Sequence, residues 1–352
     1  MMQFAKVARA TVGTLSLAIS MGAMAKDWWP FNVHEVNGDK IGTSAYVPND
    51  KATKKWNLCV LVPHMKDSFW VATAYGVIEE ARRQGVKVSL YQAGGYENLP
   101  KQIAQFDDCM AGKADAIITG SISEVGMGKK FKEGLDKGVP QIGMVNPVGN
   151  NTPMTAKVFV DFETMAKATG DFLIGSLNGQ PANVVSFPGP QGSGWAESYA
   201  KGFRNSLAGS KVRLIAEKYG DTGVAAQLKL VEDSLQASPE MNVIWGTAPT
   251  AEASIGALRE AGRKKDVKVL SCYENQAMLD AMNRGDILGF GTQFPVIQGR
   301  IAVDMAIRAL EKKPVMKFVQ PVPVMISKQN AGQIDMNTVL APTHWQPVYS
   351  LK

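Results

Sequence analysis

Leu58–Val62 is an unbroken apolar run closed by Pro63, the pattern of a strand buried on both faces. Asp67 or Ser68 is then placed to cap a helix that starts near Phe69 and carries Trp70, Tyr75, Val77 and Ile78 on to Arg83. Gly85 stops it, and Val86–Gln92 is the next strand. The unit is β-α-β, and the loop after its first strand is where open α/β sheets seat ligands. That loop delivers Phe69 and Trp70. Two readings of them stand: packing beneath the helix, or the wall of a binding site.

The alternation continues. Strands read at Ala116–Gly120, Gln141–Val145 and Lys157–Val160, and helices at Leu99–Gly112, Ser123–Gly138 and Thr164–Asn178. A second series has strands at Val184–Phe187, Val212–Lys218, Val243–Gly246, Lys268–Cys272 and Leu288–Gly291. Its helices are Trp195–Ala208, Ala226–Ser238, Ala251–Ala261 and Ala277–Arg284, followed by Phe294–Lys312 and a last strand at Val322–Ser327. Strands and helices joined by short Gly- and Pro-bearing loops predict an α/β protein of doubly wound parallel sheets, and two series of similar length predict two similar lobes. A chain of 352 residues also exceeds what one hydrophobic core usually supports.

The first 25 residues stand apart. Lys6 and Arg9, a short weakly apolar stretch and Ala23-Met24-Ala25 read as a cleavable signal peptide, too short and too rich in small residues for a membrane anchor. Its removal takes away two of the basic residues and lowers the formal net charge from +6 to +4. No later run approaches the ~18 apolar residues of a membrane span, so the expected product is a secreted protein, not embedded in a membrane. Lys26–Lys55 has no strong period. Its Trp28, Trp29 and Phe31 read as an apolar strap on the first lobe, or as a contact surface for another protein.

Charge and chemistry narrow the function classes. Basic and acidic residues are interspersed, which is a solvated surface and not a nucleic-acid footprint. His34, His64 and His344 form no metal-ligand spacing and no nucleophile motif, so no metal site, cofactor or catalytic residue is expected. Gly189–Gly194 (GPQGSG) follows a strand and opens a helix, but it matches neither a dinucleotide fingerprint nor a P-loop. Of three cysteines, Cys59 falls in the first strand and Cys109 on the second helix, within possible reach of each other; buried free thiols are the alternative.

The stretches LCVLVPHMKDSFW, SYAKGFRNSLAG and ILGFGTQFPVIQGRIAVDMAIRAL, in this order across nearly the whole mature chain, resemble the type I periplasmic binding protein family, the ribose-binding relatives. The resemblance implies two lobes joined by a three-segment hinge, with crossings near Phe162, Phe294 and Pro321. The first lobe would take 56–161 plus 295–321, and the second 162–294 plus 322–352. A narrower likeness lies in DSFW, LYQAGGYENL, QIAQFDDC, FPGPQGSGW, GTAPTAEASIGALREAG and QPVY. These resemble the TorT group, periplasmic proteins that bind trimethylamine N-oxide and signal through a membrane sensor histidine kinase. By that resemblance the group carries cysteines at both Cys59 and Cys109, which favours their bridging.

The family resemblance also points to cleft positions. Sugar-binding members grip hydroxyls with charged side chains between stacked rings, at positions that here hold Asn146, the Trp195–Glu197 region, Thr250, Tyr273 and Gln293. Pro147 and Tyr273 stand where an Arg and an Asp are expected, so the sugar-clamping charges are largely missing. Phe69, Trp70, Tyr96, Phe162, Trp195 and Tyr273 remain at strand ends. An aromatic enclosure of this kind suits a methylated ammonium-like group, with Tyr96 and Tyr273 hydroxyls or Trp70 and Trp195 indoles as donors to an N-oxide oxygen. Two departures bear on the ligand: Phe69 replaces the group's tyrosine, and Asp67 and Asp161 add carboxylates that favour a true cation. The expected function is capture of a small methylated amine or amine oxide and signalling to a sensor kinase. The alternative is the solute-binding component of an ABC importer for a small amine or sugar.

Overall fold

The computed structural model describes residues 27–149 and 151–352; the expected signal peptide lies outside the described residues. In chain order the first elements are β1 (Phe31–Asn37), β2 (Lys40–Tyr46), β3 (Asn57–Val62), α1 (Ser68–Gln84), β4 (Lys87–Gln92), α2 (Leu99–Ala111), β5 (Ala116–Thr119), α3 (Gly128–Asp136), β6 (Gln141–Met144) and β7 (Ala156–Val158). Next come α4 (Phe162–Ser176), β8 (Ala182–Gly189), α5 (Trp195–Leu207), β9 (Val212–Tyr219), α6 (Val224–Ala237), β10 (Val243–Gly246), α7 (Ala248–Glu260), β11 (Lys268–Ser271), α8 (Gln276–Arg284) and β12 (Gly289–Thr292). Helix α9 (Pro295–Leu310), β13 (Phe318–Pro321), β14 (Val324–Ser327) and β15 (Ser350–Leu351) complete the set.

The strands form two sheets, ordered β15-β4-β3-β5-β6-β7-β13-β1-β2 and β14-β12-β11-β10-β8-β9. Within each, the strands that alternate with helices pair in parallel. Such strands are covered on both faces, and β3, β5, β6 and β10 are buried nearly throughout. Each sheet is the centre of a lobe. The second lobe packs around Trp245, whose ring stacks 4.1 Å from Phe203. In the first, α1 and α9 approach closely enough that a Cβ on Gly76 would lie 2.1 Å from the Val296 carbonyl oxygen, and one on Gly299 2.4 Å from that of Thr73. Cys59 on β3 and Cys109 on α2 are bridged, with Cα atoms 5.9 Å apart.

Three sequence expectations require correction. Within the segment read as a strap without a strong period, residues 27–55 hold regular structure: β1 and β2 form an antiparallel hairpin around Gly38-Asp39, added to the first sheet through β13. The Gly38-Asp39 pair between two strand-forming runs is a two-residue hairpin signal, one that helical periodicity does not register. Trp28 packs there with its ring 6.2 Å from that of Tyr46, and its indole donates to Glu80 at 3.0 Å. The helix expected from Ser123 begins only at Gly128, because the Ser123 hydroxyl accepts from the Gly126 N–H and holds a turn. The third concerns the C-terminal tail, expected in the second lobe. After β14 it returns to the first, where β15 pairs with β4 and Trp345 meets Tyr75 at 5.5 Å. The exposed edge of β4 is a ready template for such a strand.

The chain leaves the first sheet after β7, returns between β12 and α9, and leaves again between β13 and β14. At the second passage Phe294 has a left-handed backbone, φ 57°. Its N–H, that of Gln293 and the Thr292 hydroxyl all donate to one oxygen of the fully buried Glu274, at 3.1, 2.9 and 2.6 Å.

Candidate functional site

Both sheets turn the C-terminal ends of their parallel strands toward one cleft, where open α/β sheets place ligands. Asp67 follows β3 and caps α1 by accepting from the Phe69 N–H at 3.0 Å, which sets Phe69 and Trp70 in the first helical turn. Tyr96 follows β4, and Val145 and Asn146 follow β6. From the other lobe come Phe162 and Trp195 at the starts of α4 and α5, Tyr199 one turn further, Thr222 after β9, Tyr273 after β11 and Gln293 after β12. Together these residues enclose a cavity of about 20 Å³, little more than the space one water explores. None of the lining side chains carries a formal charge.

The rings form a continuous edge-to-face chain that crosses the cleft. Phe69 lies 5.6 Å from Trp70 and 5.4 Å from Tyr273. Tyr96 lies 5.7 Å from Trp195, Trp195 5.8 Å from Tyr199, and Tyr199 5.2 Å from Phe162. Gly189 permits this: at φ 125°, a Cβ there would come within 2.4 Å of the Trp195 ring.

Polar groups around the cavity divide into committed and free. The Tyr273 hydroxyl donates to Asp67 at 2.7 Å, so it is not a free donor as the sequence suggested, and Asn275 donates to the same carboxylate at 3.0 Å. Burial pushes the Asp67 carboxyl up, against the donors that hold it. Tyr96 accepts from Asn146 Nδ2 at 2.8 Å. Burial raises its phenol, and Asn146 with the Trp195 and Trp70 indoles opposes that rise. Trp195 Nε1 is itself buried without a partner at hydrogen-bonding geometry. A cluster of N–H and O–H groups therefore converges near the Tyr96 oxygen.

The short loop 64–67 also ties the lobes together. His64 Nε2 lies 2.7 Å from the Thr222 hydroxyl, Lys66 pairs with Asp221 at 3.3 Å, and Asp67 takes the two donors from the second lobe. Burial, with Lys66 nearby, lowers His64 to about 4, so its ring is neutral at pH 7.

Eight of the residues that the sequence pointed to for the cleft, Phe69, Trp70, Tyr96, Asn146, Phe162, Trp195, Tyr273 and Gln293, line this cavity. Tyr199, Thr222 and Val145 also line it and were not among them. Tyr199 was within reach, since it stands four residues after Trp195 and so shares its helix face. Other positions fall elsewhere: Thr250 is buried against Thr247 and Gln227, Glu197 binds the Gly192 and Gly194 N–H groups, and Asp161 caps α4 through Thr164 on the surface.

Comparison with known proteins agrees with this architecture. The model of the periplasmic binding protein domain family matches residues 58–314. The chain is 34% identical over 302 residues to the periplasmic protein TorT of Escherichia coli K12, covering 85% of this chain and 86% of that one. Among solved structures, an ABC transporter solute-binding protein from Bradyrhizobium sp. BTAi1 with bound bis-tris superposes with a TM-score of 0.80 at 40% identity, over 93% of this chain and all of the other. A ligand-free complex of the TorS sensor domain with TorT matches with a TM-score of 0.76 at 26% identity, over 83% of this chain and all of the matched one. A family match over residues 58–314 and 34% identity across most of both chains mean that this protein belongs to the periplasmic binding protein family and is, within it, a relative of TorT.

Proposed function

We propose that this protein captures a small methylated amine or amine oxide, trimethylamine N-oxide first among them, between its lobes and reports it to the periplasmic domain of a sensor histidine kinase. The observation that carries the reading is the uncharged, ring-walled cavity built from both lobes. Each ring face offers a methylated nitrogen about 0.5–2 kcal/mol of cation–π attraction. The free Trp195 indole and the Tyr96 hydroxyl beside it suit the single oxygen of an N-oxide. A sugar needs several paired polar contacts, which a cavity lined mainly by rings and carrying no charged side chain does not offer.

Signalling follows from the shape. A partner responds only if it distinguishes two states. The cross-cleft contacts of His64, Lys66 and Asp67 exist only with the lobes together, so ligand that favours closure alters the relative position of the outer surfaces. TorT has been solved in complex with the TorS sensor domain both without ligand and in the presence of trimethylamine N-oxide, which supports a complex that persists in both conditions.

The solute-binding relative with bound bis-tris, itself a tertiary amine, keeps an importer role as the second reading. Size-exclusion chromatography of the mature protein with the sensor domain encoded beside it, with and without trimethylamine N-oxide, separates the two. Co-elution in both conditions is expected. Separate elution throughout, together with ligand binding measured by calorimetry, gives the importer reading instead.

A further inference from the structure

A phenol in the cavity wall can accept a hydrogen bond from a ligand or donate one to it, and for Tyr96 the neighbouring Asn146 decides which. Asn146 is buried at the end of β6. Its Nδ2 donates twice, to the Ser121 carbonyl at 2.7 Å and to the Tyr96 oxygen at 2.8 Å. A carbonyl only accepts, so the amide nitrogen has to face Ser121; turning the amide over would set two oxygens against each other there. With that orientation fixed, the second Nδ2 hydrogen is directed at Tyr96, and the phenol oxygen is held as an acceptor.

The phenol proton is thereby left over. Among the described residues none accepts it. The Trp70 and Trp195 indoles stand beside the same oxygen, and Trp195 Nε1 has no partner of its own. Donors thus surround the Tyr96 oxygen, and all four of these side chains line the cavity. The two carboxylates that the sequence offered to a cation are engaged elsewhere: Asp67 accepts from the Phe69 N–H, Tyr273 and Asn275, and Asp161 caps α4 on the surface.

We propose that Asn146 is a positioning residue for ligand selection: by donating to the Tyr96 oxygen it turns the Tyr96 O–H toward the bound molecule, so that the site favours a methylated amine oxide, whose oxygen accepts that bond, over a quaternary ammonium of the same size. The inference rests on the amine-binding reading given above and adds to it the residue that sets the direction of the hydrogen bond. The Trp195 N–H is the second donor available to the same ligand oxygen.

Trimethylamine N-oxide and tetramethylammonium are the probes. They share a nitrogen with three methyl groups and differ in an oxygen against a fourth methyl. Titration calorimetry of the mature protein gives the ratio of the two affinities. Tyr96→Phe is expected to lower the preference for the N-oxide about tenfold, the effect of one hydrogen bond. Asn146→Asp sets an acceptor where the donor stood, so the Tyr96 proton turns away from the ligand. The ratio then falls for two reasons, because the added charge also attracts the cation. A double-mutant cycle separates them: the charge acts with or without the hydroxyl, whereas the reorientation needs it. Asn146→Asp is therefore expected to lower the ratio about tenfold more in the wild-type background than in the Tyr96→Phe background. Asn146→Leu, similar in volume and without the donor, takes its place in the cycle if the Asp variant shows no cooperative melting curve. A ratio unmoved by Tyr96→Phe, or equal changes in the two backgrounds, overturns the inference and leaves amine binding standing. Binding of neither probe removes the amine-binding reading together with it.

Discussion

Glu274 offers a sharp test of how the passage between lobes is held. Its carboxyl is fully buried at the point where β12 gives way to α9, and one oxygen gathers Thr292, Gln293 and Phe294 while the other has no partner. Tyr199 and Cys272 face it, and burial keeps both of them protonated. Burial raises Glu274 to about 7, with the three donors opposing that rise. The folded protein therefore holds a proton here that the unfolded chain has released above pH about 4.5. The resulting stabilisation is present below that value and is lost as pH climbs to about 7. A shift from the ordinary 4.5 to about 7 corresponds to about 3 kcal/mol. His64 works in the opposite direction. Lowered from 6.5 to about 4, it contributes stability above pH about 6.5 that is lost as pH falls toward 4, again about 3 kcal/mol. Across pH 4.5–6.5 the two nearly cancel.

Glu274→Gln removes one of the opposing effects and retains an acceptor for the two backbone N–H groups. Urea unfolding of wild type and variant at half-unit steps from pH 4.5 to 8 is the assay. Other titrating groups are common to both proteins and drop out of the difference. The wild type is expected to gain about 3 kcal/mol relative to the variant as pH falls from 7 to 4.5. Parallel profiles would refute the buried, proton-holding role of Glu274. A gain in the opposite direction would mean that its three donors outweigh burial.

Three further outcomes are expected. Thiol titration of denatured, unreduced protein should find only Cys272, and reduction should cost about 4 kcal/mol, the chain-entropy value for the 50-residue separation between Cys59 and Cys109; three reactive thiols would reject the bridge. Gly76→Ala should lower stability by about 1–3 kcal/mol, measured by denaturant unfolding, because its Cβ meets backbone of α9 and no flexible side chain can give way. Tyr273→Phe keeps the ring but breaks the bond to Asp67 across the cleft; losing about 1.5–3 kcal/mol from the closed form should enlarge the radius of gyration in solution scattering, and an unchanged profile would argue against that bond as a latch. The last substitution is more informative than truncation of Trp70 or Tyr273 to Ala, since both side chains are buried and their removal would cost about 3–5 kcal/mol of folding stability for an aromatic ring.

Local pattern determined the part of this protein that depends on neighbours in sequence. Buried parallel strands need continuous apolar runs, and helices need a 3.6-residue period with caps, so Leu58–Val62, Val243–Gly246 and the helix ended by Gly85 were legible from the order of residues alone. The rings of the cavity were legible for a related reason. Phe69, Trp70, Trp195 and Tyr273 follow strand ends, and the doubly wound topology sends every such end to one cleft. What a side chain bonds to across 150 or 200 residues has no trace in local periodicity. Asp67 could be read as a helix cap, but only the apposition of the lobes makes Tyr273 and Asn275 its donors and takes the Tyr273 hydroxyl away from a ligand. The same holds for His64 against Thr222, for Glu274 beneath Gln293 and Phe294, and for the tail that pairs with β4. These depend on which surfaces the tertiary fold brings together and seals from water. Burial then decides which groups keep their protons and which donors are left free.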